Sequence, residues 1–184
     1  SRVKFFARAG VPYYLAVDGR DGMAGNIQLR IDQVISRAPA HDFISGAVFA
    51  TSIHNSNNIG ASKEPGEPNH AGNPGGASMW YRLTVSSLSQ QWRISTEGSN
   101  FDTLLAVYTN SASQTPFSQI PPAMENLRLV AFNDDGAVTN RTSEILLTTR
   151  TSGTYWIAVD GYNGAQENIR FSATLSQPIP RSND

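Results

Sequence analysis

An internal repeat is the feature that most constrains how this chain can fold. Residues 13–31 reappear at residues 155–173 without a gap, at an offset of 142 positions (155 minus 13). The segment YYLAVDGRDG at 13–22 falls on YWIAVDGYNG at 155–164. Asn26-Ile27 falls on Asn168-Ile169. A tandem array of one module more often builds length, valency or a surface than a catalytic centre.

The same offset predicts the domain boundaries. It takes Ser1 to Ser143 and Asp42 to the last residue, Asp184. The sequence therefore predicts the C-terminal strands of a preceding repeat at 1–33, a linker at 34–40, a complete repeat at 41–177, and a linker with the start of a following repeat at 178–184. One repeat of this length is a typical single domain.

Composition excludes several classes of function. With 39% hydrophobic and 16% charged residues the chain is globular, and a net charge of -1 with dispersed Lys and Arg gives no footprint for nucleic acid. No apolar run approaches the roughly 20 residues that span a bilayer, so we expect no membrane insertion. The absence of cysteine excludes disulfides, thiolate metal sites and a cysteine nucleophile, and is compatible with a secreted bacterial protein.

Alternating patterns bounded by Gly, Pro, Asn and Asp predict an all-β protein. Eight strands suit a two-layer sandwich, and we find no convincing helical periodicity. The last two strands are predicted to form a hairpin around Asn163-Gly164, with Asp21-Gly22 serving the same purpose in the first copy. The eight strands are expected at 46–52, 79–85, 91–96, 103–109, 127–132, 143–149, 154–160 and 168–175.

The strand faces predict which side chains are buried. Trp80, Trp92 and Trp156 lie in strand patterns, where a packed core is their commoner role, whereas Tyr81 and Tyr162 are better candidates for exposure and for sugar stacking. The Asn163-Gly164 turn is also expected to be exposed. The predicted core comprises Trp92, Ile94, Leu105, Val107, Leu129, Trp156 and Ala158.

Two long irregular stretches interrupt the strand pattern. Residues 53–78 have almost no strand pattern, and a loop of this length is normally functional or poorly ordered. Its two glutamates and carbonyl-rich turns favour order around an ion. Residues 110–126 are richer in Ser, Gln and Pro and are interpreted as a surface loop.

Calcium binding is the sharpest chemical hypothesis. Ca²⁺ takes six to eight oxygen ligands and tolerates irregular geometry, so acidic turns at one end of a sandwich suit it. The plainer interpretation is that these residues satisfy turn backbone groups or are solvated. Asp18 and Asp160 are read as strand caps and stay outside the set. The candidate ligands are Glu64, Glu67, Asp102, Asn133, Asp134 and Asp135.

No catalytic template accompanies these residues. Among the three histidines, only His70 lies in a polar segment that could form a site, and a lone loop histidine is expected to be solvated. There is no G-x-S-x-G, H-E-x-x-H or phosphate-binding loop. Asp134 and Asp135 are adjacent and would point apart in an extended segment, which argues against an acid/base pair. The sequence predicts a protein without enzymatic activity.

Five segments resemble the bacterial pre-peptidase C-terminal domain family. They are GASKEPGEP at 60–68, MWY at 79–81, SNFDTLLAVY at 99–108, NDD at 133–135 and YWIAVDGYNG at 155–164. The resemblance covers the whole repeat, from Asp42-Phe43 to about Ala173, and the order and spacing of these segments make it fairly specific. It implies a jelly-roll-like, calcium-associated β-sandwich without catalytic activity, appended to secreted peptidases or repeated in large surface proteins outside the cell.

Two functions follow as predictions. The first is one unit of an extracellular tandem array that acts as a stalk, adhesin or filament component. The second is a binding module that targets an attached enzyme to polysaccharide or protein. Residues 1–31 read as three strands whose apolar face must be covered, either by a neighbouring repeat or identical subunit or by folding back onto residues 38–177.

Overall fold

The computed structural model describes residues 3, 12–32, 38–50, 53–111, 120–136 and 141–176. The chain divides into two units, Ser1–Ser36 and Arg37–Asp184. Most of the predicted linker at 34–40, the predicted strand positions 51–52, much of the loop at 110–126 and the segment 178–184 lie outside the described residues.

The described part of the second unit contains nine strands. They form a five-stranded sheet in the order β1-β3-β8-β5-β6 and a four-stranded sheet in the order β2-β9-β4-β7. All pairs are antiparallel except the short β1 and β3 pair. The strands are β1 Val48–Phe49, β2 His54–Asn57, β3 Met79–Val85, β4 Gln91–Ser95, β5 Thr103–Asn110, β6 Leu127–Asn133, β7 Glu144–Thr148, β8 Gly153–Gly161 and β9 Asn168–Ser176.

This architecture confirms the all-β sandwich. Seven of the eight predicted strands are present within two residues of their predicted ends, and the first is reduced to Val48–Phe49. The only helical elements among the described residues are four 3₁₀ turns of three residues each. Strand β2 was missed, because its sequence His-Asn-Ser-Asn has no apolar alternation although it pairs with β9 in register.

The main core lies between the two sheets. Met79, Tyr81 and Leu83 on β3 alternate inward, and they meet Ile94 and Phe171 of the other sheet in one buried cluster. The rings of Tyr81 and Phe171 stack with centroids 3.9 Å apart. Tyr81, expected to be exposed, is therefore fully buried, because it lies on the inner face of β3.

The other face of the five-stranded sheet is also buried. Trp80, Trp156 and Tyr108 alternate with the inward residues and form a second cluster with Ile44 and Ala47. Residues 41–47 run beside this face, and the backbone N–H of Trp80 donates to the carbonyl of His41 at 2.8 Å. Strand β8 is consequently buried along all nine of its residues.

The edge strand β6 departs from the predicted core. Leu129 is 53% exposed. A register shift between Val107 and Tyr108 aligns Leu129 with Tyr108 and Ala131 with Val107. Leu129 therefore shares the outer face with Tyr108 instead of facing the core, and β6 has a partner strand on one side only.

The remaining burial predictions are largely confirmed. Trp92 is half-buried and packs at the margin of the main core. Tyr162 and Asn163 are exposed, whereas Gly164 is half-buried. Five of the predicted core residues are fully buried: Ile94, Leu105, Val107, Trp156 and Ala158.

The connection between β8 and β9 is an arch, so the predicted hairpin is wrong. Strand β8 pairs with β3 and β5, whereas β9 pairs with β2 and β4 in the other sheet. The 3₁₀ turn Tyr162–Gly164 carries the chain across from one sheet to the other. A glycine-containing turn predicts a reversal of direction, but it does not specify whether the flanking strands pair with each other.

The described residues of the first unit contain no strand. Within 12–32 the one regular element is a 3₁₀ turn at Arg20–Gly22. Apart from the half-buried Gly19, the side chains from 12 to 32 are exposed, including Leu15, Val17, Ile27 and Leu29. The three strands predicted at 1–31 are therefore absent from the described part of this segment.

Candidate metal centre

Two strand termini bring three aspartates to one end of the sandwich. Asp102 comes directly before β5, and Asp134 and Asp135 follow the last residue of β6. Because β5 and β6 run antiparallel with Leu105 opposite Asn133, the start of one lies beside the end of the other.

A buried hydroxyl network holds these two termini together. The Ser143 hydroxyl donates to the carbonyl oxygen of Asp134 at 2.7 Å, and it also lies 3.1 Å from the Thr103 hydroxyl. The Thr103 hydroxyl in turn lies 2.6 Å from that of Thr96. All three hydroxyl residues are buried. The network therefore holds the backbone at Asp102 and Asp134 in a fixed position.

The three carboxylates converge. One oxygen from each of Asp102, Asp134 and Asp135 lies within 4.8 Å of the other two. Asp134 and Asp135 were expected to point apart, but the chain bends at Asp134 after β6 ends, so both side chains reach the same place. The extended geometry on which that expectation rested does not continue past Asn133.

The electrostatics of the cluster disfavour three negative charges. Burial raises the pKa of Asp102, and repulsion from Asp135 raises it further, while Arg141 acts in the opposite direction. Burial also raises the pKa of Asp134, with added repulsion from Asp102 and Asp135. Asp102 Oδ1 and Asp134 Oδ1 are buried and accept no hydrogen bond from the described residues.

This donor set fits a hard divalent cation. Three carboxylates offer the charged oxygen ligands that Ca²⁺ prefers, and an ion would satisfy both unpartnered oxygens and offset the repulsion. Asn133 lies beside the cluster in sequence, but its Oδ1 accepts the backbone N–H of Glu144 at 3.1 Å. Its amide oxygen is therefore already engaged.

The structure does not bring Glu64 and Glu67 to this cluster. Glu64 Oε2 accepts the backbone N–H of Ile44 at 2.7 Å. Glu67 Oε2 accepts the backbone N–H of Glu64 at 2.8 Å, and its other oxygen lies 2.8 Å from His70 Nε2. Both glutamates hold the loop between β2 and β3 in place.

His70 is the centre of that loop and is fully buried, so the expectation that it is solvated was wrong. Its Nδ1 lies 2.8 Å from the Tyr108 hydroxyl, and its ring packs edge-on against Trp80 with centroids 5.6 Å apart. The loop is thus anchored on the outer face of the five-stranded sheet by a Glu67-His70-Tyr108 chain. No local sequence pattern indicates this network, since Tyr108 is 38 residues from His70.

Asp160 has a larger structural role than a strand cap. It is fully buried, and its carboxylate accepts the backbone N–H groups of Gly76, Ala77 and Gly161 at 2.7–3.1 Å. A side chain at Gly75 would collide with this carboxylate. Asp160 therefore ties the end of the long loop to the end of β8. The sequence signal for this role is that Asp18 occupies the same position in the first copy of the repeat.

The comparisons with known proteins find similarity among solved structures. No protein-family model matches the chain. No curated protein matches it. A solved structure to which it is similar is the pre-peptidase C-terminal domain of a collagenase from Bacillus anthracis. The two share 8% identity with a TM-score of 0.41 over 70% of this chain and 92% of that domain.

Within the described residues, no helix is both long and apolar enough to span a membrane.

Proposed function

We propose that this protein is a non-catalytic β-sandwich module of a bacterial tandem-repeat protein located outside the cell. The observation that carries the proposal is that the sequence repeat is also a repeat of local conformation. In the two 3₁₀ turns, Asp21 and Asn163 have φ values of 56° and 51°, and the glycines that follow them have values of 76° and 79°. Positive φ at a non-glycine residue is uncommon, so its recurrence at the same repeat position supports a duplicated unit.

The histidines support a role without catalysis. General acid/base chemistry needs a titratable side chain that can reach a substrate. His70 is fully buried between Glu67 and Tyr108, and His41 is buried as well. His54 lies in β2 with its ring 5.7 Å from that of Tyr81 and 6.3 Å from that of Phe171. These positions favour packing over proton transfer.

The reading frame on both sides of residues 1–184 tests this function. We expect further copies of the repeat at the 142-residue offset, each with the YxxAVDG segment and a Gly that ends the three-residue turn after it. A single copy beside a peptidase or glycosidase domain would contradict the array and favour the second candidate.

The second candidate is a calcium-stabilised binding module that targets a secreted hydrolase to polysaccharide or protein. The unpartnered oxygens of Asp102 and Asp134 favour its calcium component. We propose Asp102, Asp134 and Asp135 as the ligands, with other oxygens completing the coordination. Calcium would also suit an array module, so the two candidates differ in what surrounds the module.

Calcium titration of the melting temperature tests the metal site. We expect Ca²⁺ at a hundredfold excess over its Kd to raise the Tm by about 5–10 °C, because a ligand that binds only the folded state stabilises it. The D102N/D134N variant should lose this rise, since two charged ligands are gone. Glu97→Gln is the matched control, because Glu97 is an exposed acid paired with Arg93. Equal shifts in all three proteins would contradict the site.

A further inference from the structure

The turn within segment 12–32 matches the turn of the β8–β9 arch in conformation as well as in sequence. In the first copy the Met23 N–H donates to the Arg20 carbonyl at 3.1 Å, and in the second the Ala165 N–H donates to the Tyr162 carbonyl at the same distance. At both Gly19 and Gly161, an added side chain would strike the carbonyl four residues further on. The repeated turn is therefore already built in both copies.

The aspartate before the turn repeats its local hydrogen bond. Asp18 Oδ1 accepts the Gly19 N–H at 2.8 Å, as Asp160 Oδ1 accepts the Gly161 N–H at 2.7 Å. Asp160 also accepts two N–H groups from the loop before β3. Asp18 is exposed, and no such contacts are recorded for it in the described residues.

Residues that are buried in one copy are exposed in the other. Val17 is 51% exposed and Ile27 is 64% exposed, whereas their counterparts Val159 and Ile169 are at most 2% exposed. Leu15 and Leu29 show the same contrast with Ile157 and Phe171. The first copy thus keeps the apolar pattern of a central strand pair without its burial.

Unlike a hairpin, an arch cannot satisfy the backbone hydrogen bonds of its two strands by itself. The strands of a hairpin pair with each other, but β8 and β9 belong to different sheets and each has a partner strand on both sides. A second arch of this kind therefore needs four acceptor strands, namely counterparts of β3 and β5 in one sheet and of β2 and β4 in the other. The sandwich at 38–176 already has β8 and β9 in those positions.

We propose that residues 12–32 are the β8–β9 arch of a second sandwich of this same repeat, formed with a copy that precedes them in the same polypeptide. The repeat offset favours this acceptor over another subunit. Residues 13–31 precede residues 155–173 by a constant 142 positions without a gap, which is the arrangement of tandem copies within one polypeptide. This inference rests on the proposed tandem array and names the partner of the first unit.

A fusion that supplies the missing strands tests the proposal. Residues 38–142 are placed directly before Ser1 of the full chain, which restores the 142-residue register. In the unmodified chain, the amides of residues 13–18 and 27–31 should exchange rapidly. In the fusion, we expect them to become as protected as those of residues 155–160 and 169–173. The fusion should remain a monomer by light scattering.

Two controls separate the possible failures. Adding V17D and I27D to the fusion should abolish the new protection, because charges would enter both sheets, and should leave residues 38–176 folded. In a second fusion, residues 1–32 are replaced by residues 143–174, so that the added repeat carries the buried arch itself.

Each outcome decides one point. If the second fusion forms two sandwiches and the first leaves residues 13–31 unprotected, the arch proposal is overturned while the tandem array stands. If the second fusion fails as well, the tandem array itself is contradicted. Protection that occurs only in oligomers would overturn the assignment to the same polypeptide and indicate donation between subunits.

Discussion

At the scale of single residues, the aspartate cluster illustrates how turn chemistry can be read from sequence while long-range partners cannot. Asp102, Asp134 and Asp135 were recognisable because acidic turns flank predicted strands. In sequence, Glu64 and Glu67 are equally good candidate ligands. In the structure, the Glu64 carboxylate accepts the Ile44 N–H and the Glu67 carboxylate contacts His70 instead. Which face of a sheet the loop at 58–78 covers depends on tertiary packing, which no local sequence pattern reports.

The raised pKa of Asp102 predicts a pH-dependent effect of its charge. A carboxyl group whose pKa is higher in the folded than in the unfolded chain stabilises the fold below its unfolded pKa, near 3.8, and this contribution is lost as the pH rises through the folded pKa. With chelator at pH 7, D102N should therefore raise the Tm, and the gain should vanish at pH values below 3.8. A lower Tm for D102N in chelator at pH 7 would contradict this prediction, because it would show that the Asp102 charge does not destabilise the fold.

Tyr108 predicts the contribution of the network under the long loop. Replacing Tyr108 with Phe removes the hydroxyl 2.8 Å from His70 Nδ1 and leaves that buried nitrogen without a partner. We expect the free energy of unfolding, measured with denaturant, to fall by about 1–3 kcal/mol. Tyr162→Phe is the control, since Tyr162 is exposed and should tolerate the change. Equal effects of the two substitutions would contradict the anchoring role of His70.

At the scale of strands, burial on both faces made some elements easy to predict and exposure made others hard. Strand β8 carries the continuous run Tyr-Trp-Ile-Ala-Val, which only a central strand tolerates, and it was predicted within a residue of its ends. The polar strand β2 and the outward-facing Leu129 of β6 were not recovered. The first is specified by pairing with β9, and the second by a register shift that only the β5 partner reveals.

Trp156 predicts the stability carried by the outer face of the five-stranded sheet. It is 1% exposed and packs with Trp80, Tyr108 and Ala106. Trp156→Ala should lower the free energy of unfolding by about 3–5 kcal/mol, because it leaves a large cavity between the sheet and its covering segments. Leu129→Ala on the exposed edge strand should have little effect. A small loss at Trp156, comparable with that at Leu129, would mean that this face is not a packed core.

At the scale of the whole molecule, the chain holds one complete sandwich and, at 12–32, a sequence copy of its β8–β9 segment. In that copy the turn geometry recurs at Arg20–Gly22, but the strands predicted from the repeat are absent from the described residues. The sequence does not reveal that β8 and β9 form an arch, because that property depends on which sheet each strand joins. If residues 12–32 are a second such arch, as proposed above, they cannot bury their apolar side chains by pairing with each other.

Amide hydrogen exchange of the unmodified chain tests this account most directly. We predict strong protection throughout β3, β5 and β8 and the middle of β9, with residues 13–18 and 27–31 exchanging at rates close to those of an unfolded peptide. The comparison is internal, because Val17 and Val159 occupy the same repeat position in one sample. Protection of residues 13–18 equal to that of 155–160 in a monomer would contradict the account.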